Sequence, residues 1–511
     1  MRGLISMLAA IALLQSAPPA SVAFAAQPAV PIDLRQPIQR VDLQGLEAHV
    51  ERSMKQWGTA GLAIGIVHNG EVIFLKGFGT RDVRTREPVD PDTIFAVGSV
   101  TKSFTAVLAG LLVDEGKISF DDRLVKHVPN FAVGDAYVTG AATFRDALSH
   151  RTGYDWRMDP VMFLSGASRP EVIGAMADVQ PHFPFRNGYG YSNAVYMVAG
   201  EALGGAAGRS WDQSITDRVF TPLGMSRSST TIRGLERQTN VASPHRYSEQ
   251  GPKPISWRNV DVAGGAGSIN STARDMTRYI QMLASDGKAA ERPFLKPATL
   301  NELLTPHVDA GEAAELRRFT NFHAWGLGWD LKDYKGRKVA SHGGVIDGML
   351  AEMAFVPGSG FGVIVLTNTD GVRHLPYALV LNVLDRTFGG IRTDWNVGLL
   401  KRGLAFRERL TAAPPRVTGT RPSRLLADYE GSYRGPHGIV TVSKQGERLL
   451  VVYGTTRVSL DHWQYDTFRG SWGSLFGDQL ATFGLGPSGK PDRLSIAFVG
   501  DFERVADRAA R

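Results

Sequence analysis

The chain has 511 residues, of which 43% are apolar and 21% charged; this balance excludes a largely disordered protein, and the length favours two folded units. It contains no cysteine, which excludes disulfides, metal-thiolate sites and a cysteine nucleophile. The net charge of +7 comes from basic residues scattered along the chain, so we assign it to the solvated surface and predict no nucleic-acid partner.

The N-terminal segment has the pattern of a cleavable secretory signal. Arg2 precedes an apolar run from Leu4 to Leu14, and small residues follow up to Ala26. The run is too short to cross a bilayer, and no later stretch reaches that length. We predict a signal peptide over residues 1–26 and a periplasmic or secreted protein with no membrane span after cleavage. A buried helix or a retained anchor is the alternative.

The next elements are an amphipathic helix, a β-hairpin and a long apolar helix. Apolar residues at helical spacing predict the first helix over residues 41–56. Strand-forming residues at 61–77 flank Asn69-Gly70, a pair typical of a tight hairpin turn. An apolar stripe then predicts a helix from Ser99 to about Glu115, which Gly116 ends.

Residues 120–270 mix short helices with Gly- and Pro-rich loops. The elements predicted after them are a helix capped by Ser271 or Thr272, strands over residues 349–356 and 361–367, and a helix over residues 375–388. This order predicts an α+β domain over residues 35–400, in which the early and late strands share a sheet.

The C-terminal part is predicted to be a separate β domain. Residues 411–422 have the Pro-, Gly- and Thr-rich composition of a linker. Strand-forming runs between turn residues follow at 431–433, 439–443, 448–453, 457–460 and 494–499. We therefore predict a small all-β domain over residues 423–511.

Ser99 and Lys102 form the first candidate catalytic pair. A serine hydroxyl is a weak nucleophile until a base takes its proton, and Lys102 lies one helical turn away. The spacing alone also fits a helix cap beside a surface charge, and Ser285 and Lys288 share it. Ser99 begins a long apolar helix, and the positive electrostatic field at a helix N-terminus favours an anion there. Ser285 instead lies at a helix end. Ser99 is therefore the candidate nucleophile.

Tyr191-Ser192-Asn193 is the second candidate element and the only Tyr-x-Asn in the chain. A phenol whose pKa is lowered by a nearby ammonium accepts the serine proton and passes it to the leaving group. The alternative is a packed loop tyrosine beside a turn asparagine.

His342-Gly343-Gly344 is the third element, beside the late strands, where two glycines let the backbone approach a ligand. The Val345 N–H is predicted to join that of Ser99 in an oxyanion hole. His68-Asn69-Gly70 also matches His-x-Gly, but it fits a plain hairpin turn.

These three motifs, in this order, resemble the class C-like branch of the serine β-lactamase and penicillin-binding protein superfamily over roughly residues 40–390. Further matching segments are Leu148-Ser149-His150-Arg151-Thr152-Gly153, Pro222-Leu223-Gly224-Met225, Ala263-Gly264-Gly265 and Trp325-Gly326-Leu327-Gly328-Trp329. The resemblance implies an antiparallel sheet flanked by helices plus a helical subdomain. The C-terminal domain resembles a lipocalin-like extension, with Tyr429-Glu430-Gly431-Ser432-Tyr433 near its start.

The resemblance also implies roles for the motif residues. Ser99 is the acylated nucleophile, and Lys102 and Tyr191 transfer protons, with the identity of the base left open. Substrate contacts are implied for Asn193, His342, Gly343 and Gly344. An acyl-enzyme forms and is then attacked by water or by another amine or alcohol, and no cofactor or metal is expected.

The third motif bears on the substrate. Many β-lactamases of this superfamily have Lys-Thr-Gly where this chain has His342-Gly343-Gly344, so a fixed positive charge is missing. A mostly neutral imidazole holds a carboxylate less firmly, which favours esters or D-amino-acid peptides over penicillins. Two alternatives remain: β-lactamase or DD-peptidase activity on penicillins or cell-wall peptides, and a non-catalytic sensor of such ligands.

Other hydrolase classes are disfavoured. No Gly-x-Ser-x-Gly elbow of an α/β-hydrolase occurs, and no His-Glu-x-x-His zinc motif is present. The partners that the resemblance implies are a small-molecule ester, peptide or β-lactam substrate and a cell-wall peptide.

Overall fold

The computed structural model describes Ile38 and residues 40–290, 292–390, 392–411, 415–435, 438–472 and 477–505. The predicted signal peptide, residues 1–26, lies outside the described residues. No helix in these ranges is both long and apolar enough to cross a membrane.

The N-terminal 400 residues contain the main sheet. In chain order the strands of this sheet and of the smaller sheets are β1 Gly61–His68, β2 Glu71–Gly79, β3 Phe95–Ala96, β4 His245–Arg246, β5 Lys253–Pro254, β6 Asn270–Ser271, β7 Lys288–Ala289, β8 Arg292–Pro293, β9 Val308–Asp309, β10 His323–Trp325, β11 Asp330–Tyr334, β12 Arg337–Ile346, β13 Met349–Val356, β14 Phe361–Thr367 and β15 Thr369–Asp370. The main sheet has the order β2-β1-β14-β13-β12-β11-β10-β9, and all its neighbouring strands are antiparallel.

Helices cover both faces of this sheet and form the region beside it. They are α1 Leu46–Trp57, α2 Thr101–Asp114, α3 Ala136–Ala141, α4 Phe144–Leu148, α5 Asp159–Phe163, α6 Arg169–Ala175, α7 Asn193–Ala207, α8 Trp211–Ile215, α9 Thr221–Leu223, α10 Ala273–Ala284, α11 Pro297–Leu303, α12 Leu375–Phe388 and α13 Trp395–Thr411. The predicted β-lactamase-like α+β architecture, with a helical middle, is confirmed.

The sequence of β1 shows why the sheet is sandwiched. Ala63 and Val67 pack into one core with α10 residues such as Tyr279. Ile64, one position along the strand, faces the opposite core with α12 residues such as Val383. Successive strand side chains point to opposite faces, so a continuous apolar run predicts burial on both. Strands β1 and β14 are neighbours, which confirms that the early hairpin and the late strands share a sheet.

Several element boundaries differ from the predicted ones. Helix α1 begins at Leu46 rather than residue 41, because Gly45 before it is in the left-handed conformation (φ +68°). Helix α10 is capped by Thr272, whose Oγ1 accepts from the Asp275 N–H at 3.1 Å, and not by Ser271, which lies in β6. Strands β13 and β14 and helix α12 have the predicted bounds, whereas α13 was not predicted.

The C-terminal domain is a closed eight-stranded barrel in which each strand pairs antiparallel with the next. Its strands are β16 Gly431–Gly435, β17 Gly438–Gln445, β18 Arg448–Tyr453, β19 Thr456–Gln464, β20 Thr467–Ser471, β21 Asp478–Leu485, β22 Pro491–Ile496 and β23 Gly500–Arg504. The all-β prediction is confirmed, although β20, β21 and β23 were missed. The predicted strand over 494–499 ends early, because Phe498 (φ +60°) forms the turn between β22 and β23.

The barrel is anchored on the loop between α5 and α6. Leu164 of that loop is buried in the barrel core, and its carbonyl oxygen accepts from Thr456 Oγ1 at 2.7 Å. The Thr455 N–H donates to the Ser165 carbonyl at 3.1 Å. The barrel therefore contacts the part of the N-terminal domain that also carries Asp159 of α5. The domain boundaries at residues 35, 400, 411 and 423 stay predictions.

Candidate active site

Ser99 lies in a 3₁₀ turn, Gly98–Val100, directly before α2. Gly98 has φ +54°, a backbone conformation that glycine adopts without strain. A Cβ added to Gly98 would lie 2.8 Å from the Val345 nitrogen, so only glycine lets this turn press against β12. The local sequence thus places the Ser99 hydroxyl between the main sheet and the helical region.

Lys102 is the buried cation beside Ser99. Its Nζ lies 3.3 Å from Ser99 Oγ, and it donates to Asn193 Oδ1 at 2.6 Å and to the Ala266 carbonyl oxygen at 2.7 Å. Burial lowers the pKa of Lys102 to about 7, and the nearby charge of Asp159 opposes this shift. Near neutral pH a large fraction of the Lys102 amines is therefore uncharged and able to accept a proton.

Tyr191 approaches Ser99 from the loop before α7. Its ring lies 4.4 Å from that of His150, and Lys102 Nζ sits 4.6 Å from the Tyr191 ring centroid. Burial raises the pKa of the Tyr191 phenol, and its hydrogen bond with Ser99 lowers it by less. The expectation of a lowered phenol pKa is therefore wrong, because a buried phenolate loses more hydration energy than its neighbours return.

Asn193 connects Lys102 to a carboxyl that the sequence analysis did not select. Ser192 caps α7 by accepting from the Val195 N–H, which makes Asn193 the first helical residue. Asn193 Nδ2 donates to Asp159 Oδ2 at 2.7 Å. Burial raises the pKa of Asp159 to about 7, while the Asn193 hydrogen bond and Lys102 lower it. A short hydrogen-bonded chain thus links Ser99, Lys102, Asn193 and Asp159.

His342 lies on β12 and is only 3% exposed. Its Nδ1 lies 2.7 Å from the Gly343 carbonyl oxygen, to which it donates, and its ring packs 5.3 Å from that of Trp325. Burial lowers the pKa of His342 to about 3, so the imidazole is neutral, as predicted. The ring packs among aromatic residues, and its role in substrate binding stays a prediction.

Of the glycines of the third motif, Gly344 packs against protein backbone and Gly343 against a side chain. A Cβ added to Gly344 would lie 1.9 Å from the Val97 carbonyl oxygen, and one added to Gly343 would lie 2.7 Å from Glu352 Oε2. The motif therefore allows β12 to pack against the Gly98–Val100 turn. Their predicted contact with substrate is not tested by this packing.

The predicted oxyanion donors meet at the same junction. A Cβ added to Gly344 would lie 3.1 Å from the Ser99 nitrogen, just as one on Gly98 would approach the Val345 nitrogen. Ser99 and Val345 both line one cavity, where Val345 is 36% exposed. The two residues thus border the same cavity, and the role of their N–H groups as an oxyanion hole stays a prediction.

This cavity has a volume of about 610 Å³ and is lined by residues of both domains. Its wall consists of Ser99, Trp156, Asp159, Phe163, Asn193, Arg258, Val260, Ala263, Ala266, Gly267, Val345, Ile346, Asp347, Arg373, Phe406, Gln479 and Phe498. Gln479 and Phe498 belong to the barrel, and the Phe498 ring lies 5.8 Å from that of Trp156. A cavity of about 830 Å³ beside β9 and β10 contains none of the predicted site residues.

Two segments noted only as resemblances support the site. His150 Nδ1 accepts from the Ser192 N–H at 3.3 Å, so the Leu148–Gly153 segment fixes the loop that carries Tyr191. The segment around Gly265 brings the Ala266 carbonyl to Lys102; Gly265 packs so tightly on α7 that an added Cβ would lie 3.2 Å from the Gly200 Cα. Backbone groups and packing contacts of this kind have no side-chain signature in a sequence.

Known proteins resemble the chain in both domains. The family model described as Beta-lactamase matches residues 46–383, and one described as a domain of unknown function (DUF3471) matches residues 415–508. The chain is 26% identical over 499 residues to Unguisins hydrolase ungD of Aspergillus violaceofuscus, covering 88% of this chain and 87% of that protein. It is 32% identical over 315 residues to Penicillin-binding protein 4 of Amycolatopsis lactamdurans, covering 60% of this chain and 77% of that protein.

Among solved structures, the octameric penicillin-binding protein homologue from Pyrococcus abyssi superposes with a TM-score of 0.58. It shares 22% identity, and the match covers 90% of this chain and 99% of that one. At this identity the match supports the fold alone.

Proposed function

The chain belongs to the beta-lactamase family of serine hydrolases, and on that premise we propose that it cleaves esters or D-amino-acid amide bonds through an acyl-enzyme on Ser99. The observation that carries the proposal is the contact of Ser99 with both Lys102 and Tyr191 at the wall of the 610 Å³ cavity. A hydroxyl, an amine with a pKa of about 7 and a phenol form a nucleophile with its proton-transfer groups.

The acylation step follows from the protonation states. Neutral Lys102 takes the Ser99 proton as Oγ attacks the substrate carbonyl carbon, and the oxyanion faces the Ser99 and Val345 N–H groups. Tyr191 keeps its proton in the resting site because burial raises its pKa. When the C–O or C–N bond breaks, the Tyr191 phenol donates to the leaving group and regains a proton from Lys102.

Deacylation reverses the proton path. Water attacks the acyl carbon, and neutral Lys102 receives its proton through Tyr191. The ester bond to Ser99 Oγ breaks, and the proton returns from Lys102 to Ser99. The hydrogen bonds from Lys102 to Asn193 and Ala266 hold the amine in place through both steps.

The neutral imidazole of His342 favours esters and D-amino-acid peptides as substrates. A fixed cation at the third motif would bind a penicillin carboxylate strongly, whereas burial keeps this imidazole uncharged. A second candidate, hydrolysis of β-lactams or of peptides with a free carboxylate, is favoured by Arg373. Its guanidinium lines the cavity, stacks 5.5 Å from the Phe406 ring and makes no hydrogen bond within the described residues.

Substrate assays combined with intact-protein mass spectrometry test the proposed function. We expect one fluorophosphonate adduct per chain and faster turnover of 4-nitrophenyl esters or D-alanyl peptides than of nitrocefin. Rapid nitrocefin turnover without ester or peptide cleavage would favour the second candidate, and binding without any turnover would favour a sensor. We also propose that the protein is exported, and the same mass measurement on protein recovered from cells reports whether residues 1–26 have been removed.

The pH profile is expected to follow Lys102. The base is active when neutral, so kcat/KM for an ester rises as pH increases through about 7, the pKa of Lys102. No loss is expected just above that pH, because the pKa of Tyr191 is raised. Stopped-flow assays of a neutral ester from pH 5 to pH 9 measure the profile. A rate that falls as pH rises through 7 would exclude Lys102 as the base.

A further inference from the structure

We propose that Asp159 binds a primary ammonium group on the acyl part of the substrate, so that the preferred substrates are aminoacyl esters or amides with a free amine. This inference rests on the proposed function, because Asp159 lines the same cavity as Ser99. It assigns one substrate class within the esters and D-amino-acid amides proposed above.

Asp159 has unused capacity to accept hydrogen bonds. A carboxylate accepts about four hydrogen bonds. Its Oδ2 accepts from Asn193 Nδ2, and its Oδ1 makes no hydrogen bond within the described part of the chain. The residue is only 8% exposed, so bulk water solvates it poorly. A buried oxygen without a hydrogen bond costs free energy, and a donor on a bound substrate would remove that cost.

The charges around Asp159 favour a cationic donor. The cation nearest to it along the hydrogen-bonded chain is Lys102, which must be neutral to accept the Ser99 proton. Arg258 is paired with Asp347 at 3.2 Å and donates to the Phe163 carbonyl oxygen at 2.8 Å. Arg373 interacts electrostatically with Asp347 and with a second aspartate, Asp370. In the reactive state Lys102 carries no charge, and burial raises the pKa of Asp159 to about 7, so a bound substrate ammonium supplies the cation that favours the ionised carboxylate.

The position of Asp159 indicates the acyl side of the substrate. Three consecutive hydrogen bonds lead from Asp159 through Asn193 and Lys102 to Ser99 Oγ, the atom that attacks the acyl carbon. Ser99 and Asp159 also line the same cavity, so we expect an amine a few bonds from that carbon to come within reach of the carboxyl. An N-acetyl group on the same nitrogen removes its charge and adds bulk next to a nearly enclosed residue.

Matched substrate pairs test the proposal. We expect the wild-type enzyme to cleave D-phenylalanine 4-nitroanilide at least about tenfold faster, in kcat/KM, than the 3-phenylpropionate 4-nitroanilide that lacks the amine or the N-acetyl derivative. Asp159→Asn keeps an acceptor for Asn193 and removes the charge. We expect this variant to lower the preference for the free amine by about 10- to 100-fold, with a smaller change on the substrate without the amine.

Asp155→Asn is the matched control. Asp155 pairs with His182 at 3.0 Å and caps the turn before α5 through the Arg157 N–H, a role that asparagine also fills. It lies four residues before Asp159 and outside the cavity wall, so the preference is expected to stay within about twofold of the wild type. An equal loss in both variants would mean that only the general electrostatic field was changed.

The outcomes separate this inference from the proposed function. If the wild-type enzyme cleaves both members of the pair equally well, the ammonium site is wrong while the serine hydrolase mechanism stands. If Asp159→Asn lowers kcat/KM for both substrates by the same factor, Asp159 positions Asn193 and binds no ammonium. If the fluorophosphonate leaves Ser99 unmodified and no substrate is cleaved, the proposed function itself fails. The wild-type comparison needs no variant, so misfolding of Asp159→Asn cannot hide the result.

Discussion

Ser99→Ala is expected to lower kcat/KM for a 4-nitrophenyl ester by about 10⁴-fold or more, because no acyl-enzyme forms without the hydroxyl. The change deletes one oxygen that contacts Lys102 Nζ at 3.3 Å and the Tyr191 phenol, and the backbone amide of residue 99 stays in place. The melting temperature is therefore expected to change little. Steady-state kinetics and fluorophosphonate labelling of the purified variant measure both effects.

Ser285→Ala is the matched control for this variant. Ser285 and Lys288 repeat the Ser-x-x-Lys spacing, but Ser285 caps the C-terminal end of α10 and Lys288 is exposed in β7. Activity is expected to stay within about twofold of the wild type. A Ser99→Ala enzyme that keeps more than a tenth of the activity, or that still binds the fluorophosphonate, would contradict the assignment of the nucleophile.

Local sequence patterns predicted the parts of the fold that depend on local interactions. Strand β14 has a continuous apolar run with a Pro-Gly turn before it, and Leu375–Phe388 has helical spacing, so their bounds were predicted correctly. Strands β10 and β11 were missed because they are short and partly polar, and their places in the sheet depend on pairing of β11 with β12 and of β10 with β11. The same holds for β20 and β21 in the barrel, which closure of the sheet stabilises.

The sequence also selected candidate site residues whose chemistry lies in the side chain, and the structure brings Ser99, Lys102 and Tyr191 together. Ser99, Lys102 and Tyr191 were found through three motifs that are weak alone and specific together. Asp159 was missed because an Asp-Pro pair at the start of a short helix is typical of a helix terminus. The Ala266 carbonyl was missed because every residue has a carbonyl group, and only the fold selects one.

The error about Tyr191 has a physical origin. A sequence shows that a cation and a phenol meet, and their attraction alone lowers the phenol pKa. Burial is set by contacts distant in the chain, here with His150 and Trp325, and it raises that pKa. The same burial lowers the pKa of Lys102, so we expect the amine to be the base.

Lys102→Met is expected to lower kcat/KM by about 10³-fold, because it removes the general base and leaves a hydroxyl with no strong acceptor. Methionine has a similar length and suits a fully buried position, but Asn193 Oδ1 and the Ala266 carbonyl oxygen lose their donor. Each unpaired acceptor costs about 1–3 kcal/mol, offset by the removal of a buried amine. The folded structure is therefore expected to persist, which circular dichroism checks.

Comparison with two other variants isolates the role of the amine. Lys288→Met removes the lysine of the second Ser-x-x-Lys and is expected to leave activity within about twofold, since Lys288 is exposed. Tyr191→Phe is expected to keep the rise in rate near pH 7, because neutral Lys102 is still present, whereas the residual activity of Lys102→Met is expected to lose it. If the rise instead disappears in Tyr191→Phe and persists in Lys102→Met, the phenol is the base, and the protonation states derived from burial are wrong.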